Sequence, residues 1–103
     1  MAAEGLKPVA EIQFSGFSYS VIDQILNHAG RLRHRSRGRL SCPLVVRTPC
    51  GAGIHPPEHH SESPDAMFAH IPGIRVVYPS SPKRAYGLLL AAIGILGTSR
   101  RKD

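Results

Sequence analysis

Pro8-Val9-Ala10-Glu11-Ile12-Gln13-Phe14-Ser15-Gly16 is the stretch on which the reading of the fold turns. It is a short apolar run bounded by a proline and a Ser-Gly pair, which predicts a strand over residues 9–14. Downstream, Ser20 stands as an N-cap, and Val21, Ile22, Ile25, Leu26 and Ala29 follow at helical spacing. Gly30 and the arginines after it predict that this helix frays and ends near residues 33–35. Leu44-Val45-Val46-Arg47, after Pro43, reads as a second strand. Ser63 and Pro64 open a short helix to about His70, as cap and first position. Ile71-Pro72-Gly73 is a turn, residues 74–78 read as a third strand, and Ser81-Pro82 opens a helix to about Ile93. Strands alternating with helices predict an α/β fold, a mainly parallel sheet with flanking helices. In such sheets ligands sit beyond the carboxyl ends of the strands, which singles out the loops after Phe14 and after Arg47.

Composition bounds what the chain can be. Its 103 residues allow one small domain, which buries roughly 60–65% of its unfolded surface. The hydrophobic fraction of 42% is that of a globular protein, so disorder is not the expected state. Thirteen Lys and Arg against seven Asp and Glu give a net charge of +6. The positive charge is clumped at Arg31, Arg33, Arg35, Arg37 and Arg39, and again at Arg100, Arg101 and Lys102. Such clumps suit nucleic acid or an acidic partner, so a small basic binding protein using the Arg31 to Arg39 run is the alternative to an enzyme. The run lacks interleaved aromatics, which favours a solvated or subunit-facing surface. Cys42 and Cys50 show no Cys-x-x-Cys spacing and read as reduced thiols. The start lacks a signal-peptide pattern. The apolar stretch over residues 85–96 is about half the ~20 residues a membrane span needs, and reads as a buried helix.

The loop over residues 48–64 is rich in Gly, Pro, Ser and His, and it carries His55, Glu58, His59, His60 and Glu62. Histidine titrates near neutrality and serves as a general acid or base. His and Glu also ligate metals, so His55, His59 and His60 form a candidate metal set, although the spacing fits no zinc signature. A solvated loop is the third reading, and the spacing alone leaves all three open. Among the aromatics Phe14, Phe17 and Tyr19, Phe17 stands alone in a Ser/Gly turn and is the one best placed to meet a ligand ring. His28 and His70 read as structural.

Taken together, the segments resemble one family. Gly5-Leu-Lys-Pro-Val-Ala-Glu-Ile-Gln-Phe14, Asp23-Gln24-Ile25 with Asn27 and Ala29, and Arg33-His-Arg-Ser36 resemble a strand and the following helix in β subunits of thiamine-diphosphate-dependent 2-oxo acid dehydrogenases. Pro43-Leu-Val-Val-Arg47 with Pro49 and Gly51 resembles the next strand. His60-Ser-Glu-Ser-Pro64 resembles the family's active-site histidine motif, and His70-Ile-Pro-Gly-Ile-Arg-Val-Val77 with Pro79, Ser81-Pro82 and Gly87-Leu-Leu-Leu90 completes a collinear match to about Ile93. The wording is nearest to branched-chain or general bacterial members.

The resemblance implies a transketolase-type pyrimidine-binding domain in three layers, over residues 1–93, followed by a non-matching basic tail over residues 94–103. It implies thiamine diphosphate shared with an α subunit that holds Mg²⁺, in a two-α two-β assembly served by a lipoyl acyltransferase core. The implied reaction decarboxylates a 2-oxo acid and passes the acyl group to the lipoyl carrier. His60 matches the histidine facing substrate and lipoyl group, Phe17 the aromatic packed on the aminopyrimidine, and Gln13 lies beside it; no metal ligand is implied in this chain. Nucleic acid and membrane are not implied partners, and the implied location is the cytoplasm, or the mitochondrial matrix in a eukaryote.

The sequence also departs from the family pattern. The family's cofactor-activating glutamate lies upstream of the match, and neither Glu4 nor Glu11 occupies its place. The family's acidic turn and the cation site near it do not follow Ile93, and no C-terminal domain follows. An interior piece, inactive alone and with uncovered sheet edges that favour aggregation, is therefore expected.

Overall fold

The computed structural model describes residues 1–53 and 55–98. The basic tail Arg100, Arg101 and Lys102 lies outside the described residues. After a short 3₁₀ turn at Ala2–Glu4, strand β1 runs Val9–Glu11 and pairs in parallel with strand β2, Val45–Arg47. Val9 stands opposite Val45 and Glu11 opposite Arg47. The Ile12 N–H donates to the Arg47 carbonyl at 2.9 Å and carries the ladder one residue past β1. The α/β fold with a parallel sheet is as expected, on strands shorter than the apolar runs that mark them.

The crossover between the strands is one helical run of changing pitch. It opens as a 3₁₀ helix over Ser15–Val21, widens to a π-helical segment over Gln24–Ala29, and ends as the short α-helix α1, Leu32–Arg35. The run starts earlier than expected: its N-cap is Phe14, and Ser20 lies inside the 3₁₀ helix rather than capping anything. The π turn closes with the Gly30 N–H donating five residues back to Ile25, at 2.9 Å.

Gly30 is where the turn over residues 71–73 leans on this run. A Cβ there would stand 3.3 Å from the Pro72 carbonyl oxygen, and one on Gly73 would stand 2.6 Å from the Gly30 carbonyl oxygen. Gly73 takes φ +88°, the left-handed region that the Ile71-Pro72-Gly73 turn requires. Ile71, 6% exposed, is the buried hydrophobic side chain this packing produces.

Helix α2 spans Asp65–Ala69 with Pro64 at its cap and no side-chain cap bond, so Ser63 does not cap it. Residues 74–78 form no strand among the described residues, because a ladder needs a neighbour and the sheet holds only β1 and β2. Val76, Val77 and Tyr78 are exposed accordingly.

Helix α3, Pro82–Thr98, starts as expected, with the Arg84 N–H donating to Ser81 Oγ at 3.3 Å. It is not the buried helix that its composition suggested. Ala85, Leu89, Ala92 and Ile93 form a half-covered stripe at helical spacing, while Tyr86 and Leu90 are 71% and 53% exposed. Lys7 Nζ reaches the Ile93 carbonyl at 3.5 Å, a tie to the segment just ahead of β1. No helix among the described residues is long and apolar enough to cross a membrane.

Candidate functional site

Two hollows among the described residues open at the carboxyl ends of the parallel strands. The larger, about 560 Å³, is lined by Glu11, Gln13, Arg47, Thr48 and Pro49. The Arg47 guanidinium pairs there with Glu11 at 3.2 Å, an exposed contact set by the strand register. The smaller, about 260 Å³, is lined by Phe14, Pro49, Cys50, Gly51, Gly53 and His60. Pro49 borders both.

His60 comes from the long loop, and three features aim it. His59 takes φ +68°, a left-handed conformation that costs an L-residue roughly 1–2 kcal/mol. That turn brings the His59 carbonyl to the Gly16 N–H, which donates to it at 2.9 Å. The His60 ring then lies 4.1 Å from the Phe14 ring, centroid to centroid, and edge-on to Phe17 at 6.1 Å. His60 Nδ1 bonds to the Glu58 carbonyl, and since a carbonyl only accepts, the proton sits on Nδ1 and leaves Nε2 free to take another. Phe17 also lies nearly parallel to His59, at 6.4 Å.

Of the residues marked from sequence, His60 and Phe17 are therefore brought together. Gln13 is not with them; it stands in the neighbouring hollow. The contact of Phe14 with His60 went unmarked, because an aromatic at a strand end reads as core. The link between Tyr19 and Glu62 was also missed. The neighbouring Glu62 side chain, then burial, raise the Tyr19 hydroxyl above its ordinary pKa. The neighbouring Cys50 thiol is the main cause that raises the Tyr78 hydroxyl above its ordinary pKa.

The competing readings find little here. Among the described residues, no group of three His, Cys, Asp or Glu could hold a metal ion, so His55, His59 and His60 do not converge. Arg35 donates to the Asn27 carbonyl at 2.9 Å and Arg39 to the Ser36 carbonyl at 3.2 Å, so these two arginines close the end of the helical run. Cys42 and Cys50 are free thiols, and burial pushes the Cys42 thiol up.

Comparison with known proteins bears on the same segments. Residues 1–100 match the family described as transketolase, pyrimidine binding domain. The chain is 54% identical over 93 residues to "Pyruvate dehydrogenase E1 component subunit beta" of Acholeplasma laidlawii, covering 90% of this chain and 28% of that protein. It is 50% identical over 93 residues to "2-oxoisovalerate dehydrogenase subunit beta" of Pseudomonas aeruginosa, covering 90% of this chain and 27% of that one. It is also 50% identical over 94 residues to the mitochondrial 2-oxoisovalerate dehydrogenase subunit beta of Chaetomium thermophilum, covering 89% and 20%. The chain thus spans little more than a quarter, at most, of the length of these relatives.

Proposed function

Because the chain belongs to the transketolase pyrimidine-binding domain family, we propose that it is the pyrimidine-holding part of a 2-oxo acid dehydrogenase β subunit. The reaction is oxidative decarboxylation of a 2-oxo acid with transfer of the acyl group to a lipoyl carrier. The observation that carries this reading is the meeting of Phe17 and His60 from distant segments, at the carboxyl ends of two parallel strands.

Thiamine diphosphate, shared with an α subunit that holds the Mg²⁺, supplies the carbon nucleophile and the electron sink. The residues here fit its aminopyrimidine. Phe17 is 48% exposed and can add a ring contact, worth about 0.5–1.5 kcal/mol beyond area burial. His60 faces the reacting groups with Nε2 available as acid or base, and Phe14 walls that ring from one side. Gln13, in the adjoining hollow, is a further polar contact for the cofactor. The parallel pair is completed to a three-layer domain, within a two-α two-β assembly that meets a lipoyl acyltransferase core. The location that follows is the bacterial cytoplasm or the mitochondrial matrix.

Calorimetric titration of thiamine diphosphate and Mg²⁺ into the α subunit, with and without this chain, tests the reading. The chain is expected to tighten cofactor binding, and Phe17→Ala to weaken that effect about tenfold, the size of one ring contact. Cofactor binding that ignores both the chain and the substitution would sink it.

A further inference from the structure

Helix α1 ends in a turn that carries an arginine where glycine is the usual residue. The Gly38 N–H donates to the Arg33 carbonyl at 2.8 Å, and the Arg37 N–H to the His34 carbonyl at 3.0 Å. These two bonds make a Schellman end, in which the residue after the C-cap takes the left-handed conformation. Here the cap is Ser36 and that residue is Arg37, at φ +54°. A left-handed backbone costs an arginine free energy that glycine is spared. The chain has a glycine at hand, but one residue later, at Gly38. Ser36 pins the turn, its Oγ accepting the Leu40 N–H at 2.9 Å.

Charge adds to that cost. Arg31, Arg33, Arg35, Arg37 and Arg39 are all exposed. Arg31 and Arg35 stand four residues apart, as do Arg33 and Arg37, the spacing at which like charges on a helix repel. No Asp or Glu occurs between Asp23 and Glu58, so the stretch has no carboxylate of its own to answer them. Among the described residues, no hydrogen bond or ion pair engages the guanidinium of Arg31 or Arg37. Arg35 and Arg39 each give one nitrogen to a backbone carbonyl, which fixes the fork and leaves it further donors. The dipole of a four-residue helix does not call for so much charge, and Arg33, His34 and Arg35 already occupy its last turn.

We infer that residues 31–40 are a docking surface for a carboxylate-rich segment of a partner protein. Guanidinium forks match carboxylates with two parallel bonds each. Carboxylates brought from outside relieve the repulsion within the run, and Arg37 adds a cation at the turn that glycine could not supply. Leu40, 44% exposed beside the arginines, offers an apolar contact that suits a peptide. Nucleic acid fits less well. Residues 20–67 hold no Phe, Tyr or Trp on which bases could stack, and α1 is a single turn, too short to read a groove. None of these arginines lines either hollow, so the surface stands apart from the cofactor reading.

The test is fluorescence anisotropy of a labelled peptide of repeated Glu-Glu-Leu units, titrated with the full chain at low ionic strength, where surface ion pairs are least screened. A Gln-Gln-Leu peptide and a single-stranded DNA of matched charge are the comparison probes, and the acidic peptide is expected to bind more tightly than both. Arg37→Gly is expected to raise the melting temperature by several degrees, because glycine accepts the left-handed turn. The same substitution should weaken peptide binding about threefold, the size of one exposed ion pair. Adding Arg31→Ala, which leaves the turn as it is, should bring the loss to about tenfold. Lys83→Ala removes the same charge outside the run and should leave the affinity unchanged. Equal losses for Arg37→Gly and Lys83→Ala would reduce the effect to net charge and overturn the surface, as would an affinity untouched by the double substitution. A lower melting temperature for Arg37→Gly would make the arginine a support of the fold and overturn it too. DNA bound more tightly than the acidic peptide would overturn it in favour of nucleic acid.

Discussion

Substitution of His60 by alanine is expected to lower turnover of the assembled dehydrogenase by about 10²–10⁴-fold, the range that one positioned acid or base supplies. Binding of thiamine diphosphate should change little. The two effects separate because the ring contacts divide the labour. Phe17 has an exposed face to offer a flat ligand, while His60 is wedged between Phe14 and the Glu58 carbonyl and has only Nε2 to offer. Loss of Nε2 removes a proton carrier, not a stacking surface. Steady-state turnover measured beside calorimetric cofactor affinity checks this. An unchanged turnover would remove His60 from the chemistry, and an equal loss in affinity would make it a cofactor ligand instead.

Gly16→Ala should be the most damaging single methyl group in the site. A Cβ at Gly16 would stand 2.5 Å from the His59 carbonyl oxygen and 2.6 Å from its Cα, both backbone atoms that no rotamer change can move. The Gly16 N–H to His59 bond must lengthen or break, and the loop must retreat. Overpacking of this kind costs about 1–3 kcal/mol. For a chain of this size, each kcal/mol lowers the melting temperature by roughly 4–8 °C. Circular dichroism across a thermal ramp reads the shift. A melting temperature equal to the wild type's would mean that the loop does not rest on Gly16 at all. Gly38, with open space around its Cβ position, is the contrasting glycine in steric terms, although its φ of +81° strains any replacement.

The parts of this fold that could be read in the sequence are those decided locally. Val45-Val46 after Pro43 reads as a strand and is one; Ile71-Pro72-Gly73 reads as a turn and is one; Ser81 sits before Pro82 and caps α3. What could not be read was decided at a distance. Phe17, Ser18 and Tyr19 carry no helical spacing, yet they are helical, and Phe17 meets His59 and His60 from a loop far off in sequence. Residues 74–78 carry a strand's composition without a strand's neighbour. His60 could be singled out by its motif, but its contact with Phe14 could not, because the left-handed backbone of His59 has no signature that spacing would reveal.

The order of events in folding follows from the parallel register of Val9 with Val45. Antiparallel neighbours can zip from a two-residue turn, but these strands cannot touch until the whole helical crossover has been drawn back on itself. The entropy of closing that loop is lost before any ladder bond forms, which makes such contacts slow. The single turns within residues 15–35 can flicker into place on the microsecond scale or faster. The pairing of β1 with β2, and with it the convergence of Phe14, Phe17 and His60, then comes late. The candidate site is thus a kinetic latecomer, assembled only once the sequence-distant pairing of β1 with β2 has closed.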